Sequence, residues 1–134
     1  MRVDHYKRLG VKGLYRVAKE IVFRAGHYLR YGSEQEKGHE HHWRVRAVVE
    51  SEELDENHTV MDFHLLGKWL EEIVEPFTQV KMINDMPEFE QSNPSTEQLA
   101  RYIHEKLVSR LGGQVRLKEV VVWESPDSRA SFAD

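Results

Sequence analysis

Two stretches with alternating apolar and polar side chains constrain the fold of this chain most strongly. Residues 15–27 and 39–49 each carry apolar side chains at every second position, and Lys19 is the exception on the apolar side of the first stretch. A period of two is typical of a half-buried β-strand, because successive side chains point to opposite faces of a sheet. We expect the two strands to pair as an antiparallel hairpin through the polar connection of residues 28–38.

Three histidines fall on the apolar side of this predicted hairpin. His27 ends the first strand, and His39 and His41 open the second in the stretch "GHEHHW", where His42 faces the other way. Antiparallel pairing would bring all three imidazoles to the same side at one end of the sheet. Three neutral imidazoles with an open fourth position form a catalytic type of zinc site, although three nitrogens also accept iron, nickel or copper. We predict a metal site; the alternative is a polar patch at a sheet edge.

Two amphipathic helices are predicted in the middle of the chain. The first covers residues 63–77, where apolar side chains recur every three or four positions after Asp62, a suitable N-cap. The second helix begins after either Asn93 or Ser95, since each can cap it in a different way. It ends at Gly112-Gly113.

The chain then returns to a strand pattern. Residues 114–124 form a third strand whose alternation slips near Lys118-Glu119, where we expect a β-bulge. Residues 128–133 suit a short last strand. The element order is therefore ββααββ, an α+β fold with an antiparallel sheet.

Composition excludes several classes of protein. The 134 residues suit one domain, and the net charge of −4 is spread along the chain, which argues against nucleic-acid binding. There is no cysteine, and no run approaches the roughly 20 apolar residues of a membrane span. Residues 1–13 are basic but lack the apolar centre of a signal peptide, so we interpret them as an N-terminal extension and expect a cytoplasmic location.

Six stretches in a fixed order resemble one family. They are "FRAGH", "GHEHHW", "VMDFHLL", "IND", "NPSTEQLA" and "VVVWES". Together they resemble the 6-pyruvoyl-tetrahydropterin synthase / 6-carboxytetrahydropterin synthase family, over about residues 15–132. The resemblance implies the tunnelling (T-) fold, a four-stranded antiparallel sheet with two helices on one face. It also implies that subunits join edge to edge into a homo-oligomer, commonly a hexamer of two trimers. Because both helices lie on one side of the sheet, we expect a neighbouring subunit to complete the site.

The resemblance assigns roles to four residues. His27, His39 and His41 match the zinc ligands, and Glu124 matches the glutamate that anchors the pterin ring. A carboxylate suits that role because it accepts two parallel hydrogen bonds from adjacent N–H groups. The alternative for Glu124 is an ordinary carboxylate at a strand end.

The proton-transfer groups of the family are missing. Gln35 stands where the family has its catalytic cysteine, and Gln79 and Val80 stand where it has an Asp-His pair. None of these side chains is a general base. The standard mechanism therefore needs a substitute.

Two carboxylates flank the missing cysteine. Glu36 is the first candidate base and Glu34 the second, while Lys81 is a weaker third. Some relatives with a glutamate in this loop cleave the side chain of dihydroneopterin by a retro-aldol step. The alternative is a charged surface loop without a catalytic role.

Three functions remain open at this point. The first is a zinc-dependent lyase that acts on the C6 side chain of a dihydropterin with altered proton-transfer residues. The second is a non-catalytic or differently catalytic oligomer that binds a pterin or purine-like ring. The third is a structural oligomer in which zinc only fixes the hairpin.

Overall fold

The computed structural model describes residues 9–10 and 13–134. The predicted N-terminal extension, residues 1–13, falls mostly outside the described residues. Six strands and two helices follow in the described chain: β1 (Tyr15–His27), β2 (Arg30–Tyr31), β3 (Glu34–Gln35), β4 (His39–Ser51), α1 (Phe63–Gln79), α2 (Thr96–Val108), β5 (Arg116–Ser125) and β6 (Ser128–Phe132). Two short 3₁₀ turns, Ile83–Asp85 and Pro87–Phe89, lie between the helices.

Four of the strands form one antiparallel sheet in the order β1-β4-β5-β6, with both helices packed on one face. The α+β fold with two helices on one face of a four-stranded sheet is therefore confirmed. The connection between β1 and β4 contains a feature that the sequence did not reveal, because β2 and β3 pair within it as a miniature hairpin.

The register between β1 and β4 follows from their alternation. Pairing runs from Tyr15 opposite Ser51 to His27 opposite His39. The apolar side chains of both strands therefore face the helices together. Fully buried core residues include Trp43, Val45, Leu66, Leu70, Phe77, Leu99, Ile103 and Leu107.

The predicted bulge lies in β5. Val48 pairs with Glu119 and Val49 with Leu117, so Lys118 is skipped in the ladder. Because of the extra residue, the side chains on the two sides of the bulge follow a different odd-even alternation between the faces of the sheet. Val120 and Val122 are consequently fully buried, and Glu124, at the same parity, comes to the end of the sheet where the three histidines lie.

Both helices begin at side-chain caps. Asp62 Oδ1 accepts a hydrogen bond from the backbone N–H of His64 at 2.8 Å, and Ser95 Oγ accepts one from the N–H of Gln98 at 3.2 Å. Of the two caps considered for the second helix, the structure uses Ser95. In the described part of the chain no helix is long and apolar enough to cross a membrane.

The sheet face without helices carries charged pairs. Glu50 on β4 is 4% exposed and lies between Arg16, at 2.8 Å, and Arg116, at 2.6 Å. The hydrogen bond from Arg16, with that from Arg116, holds the pKa of Glu50 below its ordinary value of 4.5 against the opposing effect of burial. This carboxylate joins three strands across the sheet.

We expect Glu50→Gln to lower the free energy of unfolding by about 1–3 kcal/mol at neutral pH, since two charge-assisted hydrogen bonds are weakened. The contribution of Glu50 is fully present above pH 4.5 and is lost as the pH falls through its lowered pKa. The difference between wild type and variant should therefore shrink in acid. Urea unfolding at several pH values measures it.

A matched control is Glu20→Gln. Glu20 also binds an arginine, Arg46, at 2.6 Å, but on a more exposed part of the same face. Its loss should cost less than about 1 kcal/mol. Equal effects of the two substitutions at neutral pH would contradict a special role for Glu50.

Candidate metal centre

The structure brings the three predicted histidines together at one end of the sheet. The ring centroids of His27 and His39 are 4.7 Å apart, those of His27 and His41 5.2 Å, and those of His39 and His41 4.6 Å. The register explains this arrangement, because His27 lies directly opposite His39 and His41 is two residues further along the same face.

Glu124 completes the group. Its Oε1 atom lies 2.7 Å from Nε2 of His41, 3.5 Å from Nε2 of His27 and 3.9 Å from Nε2 of His39. One ligand atom from each of the four residues lies within 4.8 Å of the others, so the group could hold a metal ion.

The ring nitrogens are oriented for coordination. Nδ1 of His27 lies 2.7 Å from the carbonyl oxygen of Pro94, and Nδ1 of His39 lies 2.9 Å from that of Lys37. Because a carbonyl oxygen only accepts, each Nδ1 carries the proton, and Nε2 of the neutral ring keeps a free lone pair. Ligating histidines commonly have such a backbone partner on the second nitrogen.

Two of these nitrogens are buried without a hydrogen-bond partner in the described chain, Nε2 of His27 and Nε2 of His41. The short contact from His41 to Glu124 lacks the alignment of a hydrogen bond. Buried polar atoms are rarely left unpaired, and a bound ion is a common partner for them. The donor set therefore fits a metal.

Burial also favours the protonation state that binds a metal. Desolvation lowers the pKa of His41 below 6.5, and the neighbouring His27 and His39 lower it further, while the Glu124 carboxylate opposes the shift. A lower pKa keeps the imidazole neutral to more acidic pH, and only the neutral ring coordinates a metal.

The floor of the site is aromatic. The ring of Trp43 packs edge-on against His27, at 4.9 Å between centroids, and against His41, at 5.2 Å. Its indole N–H donates to the carbonyl oxygen of Ala25 at 3.0 Å. This fully buried ring fixes the positions of both imidazoles.

Two glycines beside the histidines lie close to residues 81–82. A Cβ atom at Gly26 would lie 3.0 Å from Sδ of Met82 and 3.2 Å from the backbone oxygen of Lys81, and one at Gly38 would lie 2.8 Å from Cε of Met82. Residues 81–82 therefore pass directly over the strand ends that hold His27 and His39. Lys81 itself is exposed.

Two asparagines hold the loop between β1 and β4. The side-chain amide of Asn84 accepts from the N–H of Tyr28 at 3.0 Å and donates to its carbonyl at 2.8 Å. Asn93 does the same for Arg30, at 2.7 and 2.9 Å. Each side-chain amide thus forms the pair of hydrogen bonds that a residue of a neighbouring strand would form with its backbone. Sequence reasoning considered Asn93 as a helix cap and Asn84 as part of the stretch "IND", but it missed the role of both in holding the loop, which only their position in turn-rich segments would have suggested.

The loop presents one of the two candidate bases to the histidines. Oε1 of Glu36 accepts a hydrogen bond from the N–H of Leu29 at 2.9 Å and lies 3.7 Å from Nε2 of His39. Glu34 pairs with Tyr31 in the miniature hairpin, is exposed, and forms no ion pair with these histidines in the part of the chain that the structure describes. The catalytic role of either glutamate stays a prediction.

Comparison with protein families decides the relationship. The family model of 6-pyruvoyl tetrahydropterin synthase matches residues 16–134. The chain belongs to this family. Dihydroneopterin monophosphate aldolase of Pyrococcus furiosus is 31% identical over 109 residues, which are 81% of this chain and 89% of that relative. The resemblance recognised in the sequence is thereby confirmed, and the chain falls within a family of pterin-metabolism enzymes.

Solved structures of family members share the fold. The 6-pyruvoyl tetrahydropterin synthase of Caenorhabditis elegans superposes with a TM-score of 0.74 at 19% identity, covering 92% of this chain and 97% of that one. The enzyme of Plasmodium vivax gives 0.72 at 18% identity, covering 90% and 97%. Two further structures of the Plasmodium enzyme replace a glutamate, named as a catalytic residue, by cysteine or alanine.

We expect Asn84→Ala to lower the free energy of unfolding by about 1–3 kcal/mol, because the N–H and C=O of Tyr28 would lose their partners in a site that is mostly buried. Asn57→Ala is the matched control, since Asn57 is exposed and its side chain forms no hydrogen bond in the described chain. That change should stay within about 0.5 kcal/mol. Chemical denaturation measures both, and equal effects would contradict the role of Asn84 as a clamp.

Proposed function

We propose that this protein is a zinc-dependent lyase that cleaves the C6 side chain of a dihydroneopterin-type substrate by a retro-aldol step. The observation that carries the proposal is the convergence of three histidine Nε2 atoms, with the Glu36 carboxylate 3.7 Å from one of them. The Pyrococcus relative, named as an aldolase for dihydroneopterin monophosphate, supports this reaction class.

His27, His39 and His41 would hold the metal. Zinc is the default for three neutral imidazoles, although the donor set also suits iron, nickel or copper. When bound, zinc supplies a Lewis acid that polarises a substrate oxygen and stabilises negative charge on it.

Glu36 would act as the base. Gln35, Gln79 and Val80 occupy the positions of the family's proton-transfer groups, and none of them transfers protons. Glu36 is the carboxylate of this loop that lies close to the histidines. It would take the proton from the hydroxyl on the second side-chain carbon. The bond between the first and second carbons would then break, an aldehyde would leave, and the electron pair would delocalise into the dihydropterin ring. The first carbon would finally take up the proton that Glu36 removed, which restores the Glu36 carboxylate. The Plasmodium enzyme, with a glutamate named as catalytic, supports a carboxylate in such a role.

Glu124 would anchor the pterin ring. Its carboxylate stands at the end of β5 beside the histidines, at 32% side-chain exposure, so it is reachable from solvent. Two parallel hydrogen bonds from adjacent ring N–H groups would orient the C6 side chain toward the metal.

A second candidate is a protein that binds a pterin or purine-like ring without this turnover. The specific observation in its favour is the replacement of the family's cysteine and Asp-His pair by Gln35, Gln79 and Val80. In that case Glu124 would be needed for binding, and substitution of Glu36 would have no effect.

We also propose that the protein works as a homo-oligomer, in which strands β1 and β6 at the two edges of the sheet pair between subunits. Unpaired edge strands readily accept a further strand. The resemblance implies a hexamer of two trimers.

We expect the zinc-loaded protein to convert 7,8-dihydroneopterin or its monophosphate into a pterin with a shortened side chain, detected by mass spectrometry. Glu36→Gln should lower the rate by about 100-fold or more, because general-base catalysis is lost. Glu34→Gln is the matched control in the same loop and should keep its activity. Chelation should abolish the reaction.

Other outcomes assign other functions. Loss of activity in Glu34→Gln alone would make Glu34 the base. Triphosphate release from dihydroneopterin triphosphate would indicate synthase chemistry. Absence of turnover together with pterin bound through Glu124 would favour the binding protein, and a chelator effect on stability alone would favour a structural metal.

Light scattering at micromolar concentration tests the assembly. We expect a mass several times that of the 15.8 kDa chain. A monomer would contradict the proposed oligomer.

A further inference from the structure

The two oxygens of Glu124 are engaged differently. Oε1 is the atom that faces Nε2 of all three histidines, and Oε2 accepts a hydrogen bond from the hydroxyl of Thr96 at 3.0 Å. An anchor for a pterin ring needs a free lone pair on each oxygen, but Oε1 is directed at the three histidine nitrogens. The arrangement instead resembles a monodentate metal ligand whose second oxygen is held by a neighbouring hydroxyl.

We propose that Glu124 is the fourth ligand of the metal while no substrate is bound, which makes the resting centre a closed site of three histidines and one carboxylate. The inference rests on the metal site of the proposed function and deepens it. Donor atoms of a tetrahedral zinc site, each about 2.0–2.2 Å from the ion, lie about 3.3–3.6 Å from one another. The distances from Oε1 to the three nitrogens, 2.7, 3.5 and 3.9 Å, bracket that separation.

Thr96 is the positioning residue for this ligand. It is the first residue of α2, is 9% exposed, and directs its hydroxyl at Oε2. The hydrogen bond from this nearly buried hydroxyl holds Oε2 on the side of α2. Oε1 is therefore the oxygen that remains for the metal.

Ring binding and metal coordination then compete for the same carboxylate. Two parallel hydrogen bonds from a pterin use both oxygens of Glu124, so the ring competes with the metal for Oε1, while Oε2 has a second lone pair and can keep the hydrogen bond from Thr96. The coordination position that opens in this way becomes free for an oxygen of the substrate side chain. The site would thus open only when the correct ring is recognised, and the coupling must be reciprocal: the ring lowers metal affinity and the metal lowers ring affinity.

The test uses cobalt(II) in the full-length chain, because the visible absorption of cobalt reports its coordination number. We expect Glu124→Gln to lower cobalt affinity by at least about 10- to 100-fold, measured against a competing chelator, and to change the spectrum. Thr96→Val should weaken binding about tenfold while the ligand itself is kept. Glu40→Gln is the matched control: it removes a carboxylate between His39 and His41 that faces away and binds Arg24 at 2.9 Å.

A second measurement tests the exchange. Addition of 7,8-dihydropterin without a C6 side chain should change the cobalt spectrum of the wild type, although this ligand has no side-chain oxygen to offer the metal. The spectrum of Glu124→Gln should not change in the same way. An unchanged wild-type spectrum, with the ring shown to bind by fluorescence, would overturn the exchange.

The outcomes separate this inference from the proposed function. Equal cobalt affinity and equal spectra in wild type and Glu124→Gln would overturn the fourth-ligand role and leave the three-histidine site intact. Unchanged cobalt binding in His41→Ala would instead overturn the metal site itself. Thermal unfolding of each metal-free variant checks that it folds.

Discussion

The antiparallel register between β1 and β4 is the constraint on which the candidate site depends. It sets His27 opposite His39 and keeps His41 on the same face. Because side chains alternate, a slip of one residue would move His39 and His41 to the face without helices. The same slip would expose Trp43, which is fully buried beneath the imidazoles. Core packing and the geometry of the candidate metal site are therefore both set by one alignment of two strands, and neither can change alone.

Much of this arrangement could be predicted from local sequence patterns. Alternation located both long strands and placed the three histidines on one side, and the break in alternation located the bulge at Lys118. The contacts that no local pattern encodes were missed. Thr96 meets Glu124 across 28 positions and Asn84 meets Tyr28 across 56, and these pairs depend on how separate loops are brought together by the folded core.

Local sequence patterns also could not decide between Glu34 and Glu36 as the candidate base. The two lie two residues apart in one loop, and no sequence pattern there shows which of them faces the histidines. The structure separates them, because Glu36 accepts a hydrogen bond from Leu29 at 2.9 Å while Glu34 points outward in the miniature hairpin. Strands of two residues each are too short to produce a periodic signal.

The candidate metal ligands and the proposed base occupy structurally separate parts of this chain. The three histidines lie on long strands with a buried core behind them, while Glu36 lies on a loop whose base is held by Asn84 and Asn93. The tip of that loop turns at Gly32, with a φ of 64°, and is exposed. Residues can be exchanged or inserted there without disturbing the sheet. A change of residue in this loop would therefore alter the groups beside the histidine cluster while the sheet that carries the cluster stays the same.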